Sequence, residues 1–220
     1  MFIPQETGMK GLYKQIELAA RTCYKSEDKS TELSAEKMVN ALINSKHFAM
    51  LEHGTVYLTI KIGSPLREVD WMDNTYTVNR YRHDKYSIVT EETDYVDTVY
   101  YITTNYRVIV ENGWEKDLKF MTEPQDKHIK RYSIRVITDL QVSHELVRHR
   151  LLSFAMESSR YCNYSNDKFG NELTFQDADF TQEGISEETV DEMYRVWEDT
   201  MKSCEKAYFK LRELGGKPQK

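Results

Sequence analysis

Val190, Tyr194, Trp197, Met201, Cys204, Tyr208, Leu211 and Leu214 recur at steps of four and three residues near the end of the chain. That spacing follows one face of an α-helix. It predicts a long amphipathic helix, capped at its start by Ser186 and stopped by Gly215-Gly216 and Pro218. A seam of this length has to cover itself against another helix, in the same chain or in a second subunit. It restricts the chain to folds in which helices pack against a broad apolar surface.

The sheet is predicted by a different period. Val56, Leu58, Ile60 and Ile62 alternate with Tyr57, Thr59 and Lys61, which is the pattern of a strand with one buried and one polar face. Ahead of it, Leu12, Ile16, Ala19, Ala20 and Cys23 share one face of a helix over 11–24, and Ser34 reads as the cap of a second helix to about 46, with Met38, Leu42 and Ile43 inward. Residues 47–54 read as a loop. The stretches 74–82, 86–90 and 96–103 are rich in Tyr, Thr and Val and read as strands. Within the first of them, Arg80-Tyr81-Arg82-His83 is a basic-aromatic cluster that reads as a surface strand. Helices are expected over 106–111 and 115–121, split by Asn112-Gly113, and a strand over 131–138. Asp139 then caps a helix with Leu140, Ser143, Val147 and Leu151 on one stripe. The fold class is therefore α+β: a mixed or antiparallel sheet flanked by helices, with a long amphipathic C-terminal helix. A chain of 220 residues without repeats reads as one domain, or as one domain with a large insertion.

The charge pattern narrows the function. A net charge of −6 argues against general nucleic-acid binding, which needs a broad basic face. A nucleic-acid module built on Arg80-Tyr81-Arg82 and the arginines of 148–160 is the weaker reading. No apolar run reaches the ~20 residues of a membrane span, and the N-terminus lacks a signal-peptide pattern. Cys23, Cys162 and Cys204 form neither a disulfide framework nor a zinc spacing, so a cytoplasmic setting is expected.

Against this acidic background, 148–161 concentrates Arg148, His149, Arg150 and Arg160. Taken alone, that is a charged helix end complementing the helix dipole. The alternative is a small anionic ligand held by arginine forks. Consecutive helical side chains diverge by about 100°. On a helix, Arg148, His149 and Arg150 would therefore face several ligands, several parts of one ligand, or several subunits. Ser158 and Arg160 follow on a turn where free backbone N–H groups are expected to bind an anion. Other chemistries fit poorly. His144 and His149 are five apart, about 140° around a helix, so they do not form a zinc-protease pair, and no metal site is expected. Cys162 stands beside Arg160 but adjoins no histidine, and Ser158 lacks the elbow of a serine hydrolase. Neither a Rossmann nor a P-loop glycine pattern is present.

Arg148-His149-Arg150, seven residues, then Ser158 resembles the signature of the flavin-dependent thymidylate synthases, the ThyX family. The flanks are similar too: Arg160-Tyr161 after the serine, Ala19-Ala20-Arg21 in the first helix, and His47 a few residues ahead of Glu52-His53. The resemblance covers roughly 10–62 and 131–215, and it implies a single ThyX-like domain with an insertion at about 66–130 relative to short members. It implies a ThyX-like fold and the reductive methylation of dUMP to dTMP, with methylenetetrahydrofolate as one-carbon donor, FAD as cofactor and NADPH as reductant. It implies a homotetramer with sites shared between subunits, and no cysteine nucleophile. By resemblance His47, Arg148, His149 and Arg150 hold FAD. Glu145, Arg148, Glu157, Ser158, Ser159 and Arg160 bind dUMP, and Arg148 and Ser158 position nucleotide and flavin for catalysis. The chain departs from the family at Ala49-Met50, where a Ser or Thr followed by Pro is usual, at Glu145, often Gln, and at Met156, often Glu or Gln. It stops at Lys220, at the threshold of a family segment that carries further ligands, and so reads as lacking that segment. A non-catalytic nucleotide-binding or assembly protein that keeps the fold is the alternative.

Overall fold

In a computed structural model, residues 1–63, 71–95, 97–158, 162–165 and 170–217 are described. They form two units: Met1–Thr22 with Ser26–Val136, and Cys23–Lys25 with Ile137–Lys220.

The first unit holds the core. Helix α1, Gly8–Tyr24, follows the two-residue strand β1, Phe2–Ile3. Its predicted stripe is inward: Leu12, Ile16 and Ala20 are fully buried. Helix α2, Ser34–Asn44, buries Ala35, Val39 and Leu42, while Met38 and Ile43 are half-buried. Leu33, not Ser34, stands at its N-cap. The Ser34 hydroxyl turns back instead, donating to the Thr31 carbonyl at 2.9 Å. Residues 48–53, expected as a loop, form a 3-10 helix, Phe48–His53. It delivers Gly54 against α1, where an added Cβ would fall 2.7 Å from the Leu12 and Ile16 side chains. Glycine is required there by the close approach.

Strand β2, Thr55–Ile62, is the alternating segment. Val56, Leu58 and Ile60 are fully buried as expected. Its other face is not simply polar. Tyr57 is buried, because its ring meets the His128 ring edge-on at 5.2 Å and its hydroxyl accepts from the Arg131 amide at 3.1 Å. Helix α3, Trp71–His83, follows, then strands β3, Ile88–Thr93, and β4, Thr98–Asn105. The sheet order is β2-β4-β3, all antiparallel, with Thr55 opposite Asn105 and Ile88 opposite Thr103. Strands near 86–90 and 96–103 are thus present with shifted ends; Val96 lies outside the described residues.

The strand expected over 74–82 is α3. Tyr, Thr and Val favour strands locally, but Thr77, Val78 and Tyr81 recur at helical spacing and are all buried. The Tyr81 hydroxyl donates to the Asp117 carboxylate at 2.9 Å; Arg80 pairs with the same carboxylate and lies 4.6 Å over Trp114. The cluster 80–83 is therefore half core, not a surface strand.

Helix α4, Tyr106–Asn112, is capped by the Asn105 side chain, which accepts from the Val108 amide at 3.1 Å. It ends at Gly113 with φ of 69°, as the Asn-Gly pair predicts, and a 3-10 helix follows over Glu115–Phe120. Of the strand expected over 131–138, only β5, Ser133–Ile134, pairs, with β1. Val136 and Ile137 stay exposed, and alternation without a partner strand does not make a ladder.

The second unit carries helix α5, Leu140–Leu146, and helix α6, Glu187–Glu213. Ser186 caps α6 by accepting from the Thr189 amide at 3.3 Å, and Gly215 follows its end with φ of 91°. The predicted seam is half-covered rather than buried. Within this unit it meets loop side chains, not a second helix: Tyr194 packs edge-on to Phe180 at 5.1 Å, and Tyr208 to Tyr164 at 6.3 Å. Leu211 and Leu214 remain exposed. The fold is α+β, with small antiparallel sheets, flanking helices and a C-terminal helix. Among the described residues, no helix is long and apolar enough to cross a membrane.

A candidate anion-binding site

Asp139 starts α5 by accepting from the Val142 amide at 2.9 Å. The helix was expected to run through the basic motif, but it ends at Leu146. Beyond it the Arg148 amide donates to the Glu145 carbonyl and the His149 amide to the Leu146 carbonyl, both at 3.1 Å. These are three-residue steps, the tightened bonds of a helix coming undone. The cause is the stripe itself: Leu140 and Leu151 are exposed, at 68% and 101%, so no burial holds a longer helix together.

Arg148, His149 and Arg150 therefore occupy a turn, not a helix face. All three are exposed. Among the described residues, no carboxylate pairs with Arg148 or Arg150. Exposed guanidiniums without a carboxylate partner are available to an anion. Glu145 is exposed on α5.

Glu157 and Ser158 stand on the chain beyond. The Ser158 amide donates to the Cys23 carbonyl at 3.1 Å, and the Ser158 carbonyl accepts from the Cys162 amide at 2.9 Å. The expectation of a free N–H at Ser158 is thus corrected: the amide is taken by Cys23, and the half-buried hydroxyl is what the residue can offer a ligand. The Glu157 carboxylate accepts from the Tyr164 hydroxyl and lies 3.8 Å from the Lys25 ammonium. The same ammonium sits 5.0 Å from the Tyr164 ring centroid. Lys25 adopts φ of 44°, a left-handed conformation that costs a non-glycine residue strain. Burial, followed by the Glu157 hydrogen bond, holds the Tyr164 phenol well above its ordinary range. Burial also raises the Cys23 thiol, against the opposing effect of the Met156 backbone. Cys162 is buried, as an inert core thiol would be.

Lys25 and Tyr164 were not singled out in the sequence. A lysine directly after a helix, where glycine or asparagine is favoured, was the available signal. Tyr164 gave none within its polar loop. Ser159, Arg160 and Tyr161 lie outside the described residues. His47 belongs to the first unit, exposed at the N-cap of the 3-10 helix, with its amide donating to the Leu42 carbonyl at 2.8 Å. Ala49 beside it is exposed and Met50 buried, and Met156 is 41% exposed. Among the described residues, no three His, Cys, Asp or Glu side chains could hold a metal ion together.

An exposed cationic turn, with a held carboxylate and a hydroxyl further along the chain, offers groups whose chemistry suits a small anion. Residues 127–220, which contain all of these groups except Lys25 and Cys23, match the family of thymidylate synthase complementing proteins. The match covers the C-terminal part of the chain, less than half of its length. No curated protein and no solved structure matches the chain.

Proposed function

We propose that the chain is a flavin-dependent thymidylate synthase that converts dUMP to dTMP. The reading is carried by one observation: Arg148 and Arg150, exposed and without a carboxylate partner among the described residues, lie within the segment that matches the family model. Two exposed arginines and a histidine on one turn fit the phosphate groups of FAD, and Arg148 also serves the nucleotide. His47 serves flavin and folate. Glu145, Arg148, Glu157, Ser158, Ser159 and Arg160 take dUMP. When bound, the flavin supplies hydride chemistry, with NADPH as reductant and methylenetetrahydrofolate as source of the carbon.

The protein's own groups bind and orient. Guanidiniums neutralise the phosphates and stabilise negative charge that develops on the pyrimidine ring. The Ser158 hydroxyl, on a backbone held through Cys23 and Cys162, fixes the nucleotide's position. Arg148 and Ser158 thus work by positioning, without a covalent nucleophile. The proposal includes a cytoplasmic homotetramer whose subunits share sites, and neither nucleic acid nor membrane as partner.

Calorimetric titration with dUMP tests it. The intact chain is expected to bind. Arg148→Ala is expected to lose roughly 1.5–3 kcal/mol, the range for a hydrogen bond to a charged group. Equal affinity in the two proteins counts against the site.

A further inference from the structure

We propose that Tyr164 and Lys25 are positioning residues that lock the Glu157 carboxylate so that one of its oxygens is presented to the bound nucleotide. The inference rests on the reading of Glu157 and Ser158 as part of the dUMP site, and it adds two residues to that site.

The geometry is one-sided. The Tyr164 hydroxyl donates to Oε1 of Glu157, and the Lys25 ammonium approaches the same Oε1 at 3.8 Å. Oε2 has no partner among the described residues. A carboxylate anchored by one oxygen keeps the other as a directed acceptor, suited to an N–H or O–H of a ligand. Glutamate carries three rotatable bonds, and fixing them before binding removes an ordering cost that the ligand would otherwise meet.

The anchors are themselves held. The Tyr164 amide donates to the Tyr208 hydroxyl on α6 at 3.3 Å, and the two rings meet edge-on at 6.3 Å. Next to it, the Ser165 hydroxyl accepts from Arg212 Nε at 3.3 Å, also on α6. On the other side, the Lys25 ammonium lies 5.0 Å from the Tyr164 ring centroid, within cation–π range. Lys25 holds this position with φ of 44°, where glycine would sit without strain. A residue kept in a costly conformation against a carboxylate has a reason to be lysine.

The test is dUMP titration of the full chain and its Tyr164→Phe, Glu157→Gln and doubly substituted variants, with thermal unfolding of each. Loss of one net hydrogen bond predicts that Tyr164→Phe weakens dUMP binding about 5- to 10-fold, and that it has no further effect in the Glu157→Gln background. An equal loss in both backgrounds, or a lowered unfolding temperature with unchanged affinity, overturns the positioning role and leaves a packing tyrosine. A second readout needs no ligand. With ¹³C-labelled tyrosine, the Tyr164 ring resonance should titrate at lower pH in Glu157→Gln than in the unsubstituted protein, and an unmoved titration removes the contact. If the intact chain binds no dUMP, the proposed function and this inference fall together. If the intact chain binds and Arg148→Ala weakens binding while Tyr164→Phe does not, the inference alone fails.

Discussion

The Ser158 amide donates to the Cys23 carbonyl at 3.1 Å. This main-chain bond sets the serine's backbone without using its hydroxyl. Ser158→Ala therefore keeps the bond and loses only the group offered to a ligand. Its stability should change by less than about 0.5 kcal/mol, while dUMP affinity falls by roughly 0.5–1.5 kcal/mol. Unfolding and titration curves on the same preparations check both numbers.

Lys25 offers a separation of backbone from side chain. Lys25→Ala and Lys25→Gly both delete the cation beside Glu157. Only the alanine keeps a Cβ in the left-handed conformation at φ of 44°. The glycine variant should be the more stable of the two by about 1 kcal/mol, measured by urea unfolding. Equal stabilities would mean that the conformation is relaxed in both.

His128 predicts a pH dependence. It is 3% exposed, its Nδ1 accepts from the Gln125 amide at 3.0 Å, and its Nε2 is 3.1 Å from the Leu58 carbonyl, to which it donates. Burial lowers its pKa, opposed by the Leu58 bond, so the folded protein holds it neutral. The unfolded histidine takes up a proton below about pH 6.5. The contribution is thus complete above that pH and is lost as pH falls toward the depressed folded value. Urea midpoints at pH 7.5 and 5.5 should converge in His128→Gln relative to the unsubstituted chain. An identical pH slope in the two proteins would show that other groups carry it.

Glu17 and Arg21 form an ion pair at 2.7 Å whose side chains are 3% and 8% exposed. Arg21 also donates to the Ser26 carbonyl at 3.0 Å. Arg21→Ala strands a buried carboxylate and should cost about 3–5 kcal/mol. Replacing both residues with apolar ones of similar volume should cost markedly less, which denaturant unfolding of the three proteins reads directly.

Burial explains how much of the fold was legible in the sequence. Leu12, Ile16 and Ala20, and Val56, Leu58 and Ile60, show their period because each set faces one core. Caps at Asn105, Asp139 and Ser186 act within three residues; those at Asp139 and Ser186 are legible in the sequence, while Asn105 falls between the strand expected to 103 and the helix expected from 106. Helix α3 was misread because β-branched and aromatic residues speak for strands locally, while the Asp117 carboxylate that anchors Tyr81 is 36 residues away. The stripe Leu140–Leu151 misled in the opposite sense: the period is present, but burial is not. At the candidate site, the basic turn is written contiguously and could be read. Lys25 meets Glu157 and Tyr164 from more than a hundred positions away, and no local pattern encodes those contacts.

The measurement closest to the central claim is the visible absorbance spectrum of the purified chain with added FAD, before and after dUMP. The account predicts a flavin band that stays with the protein through gel filtration and changes when dUMP binds. A protein that binds dUMP but takes up no flavin would fit the non-catalytic nucleotide-binding reading. A protein that takes up neither would contradict the account.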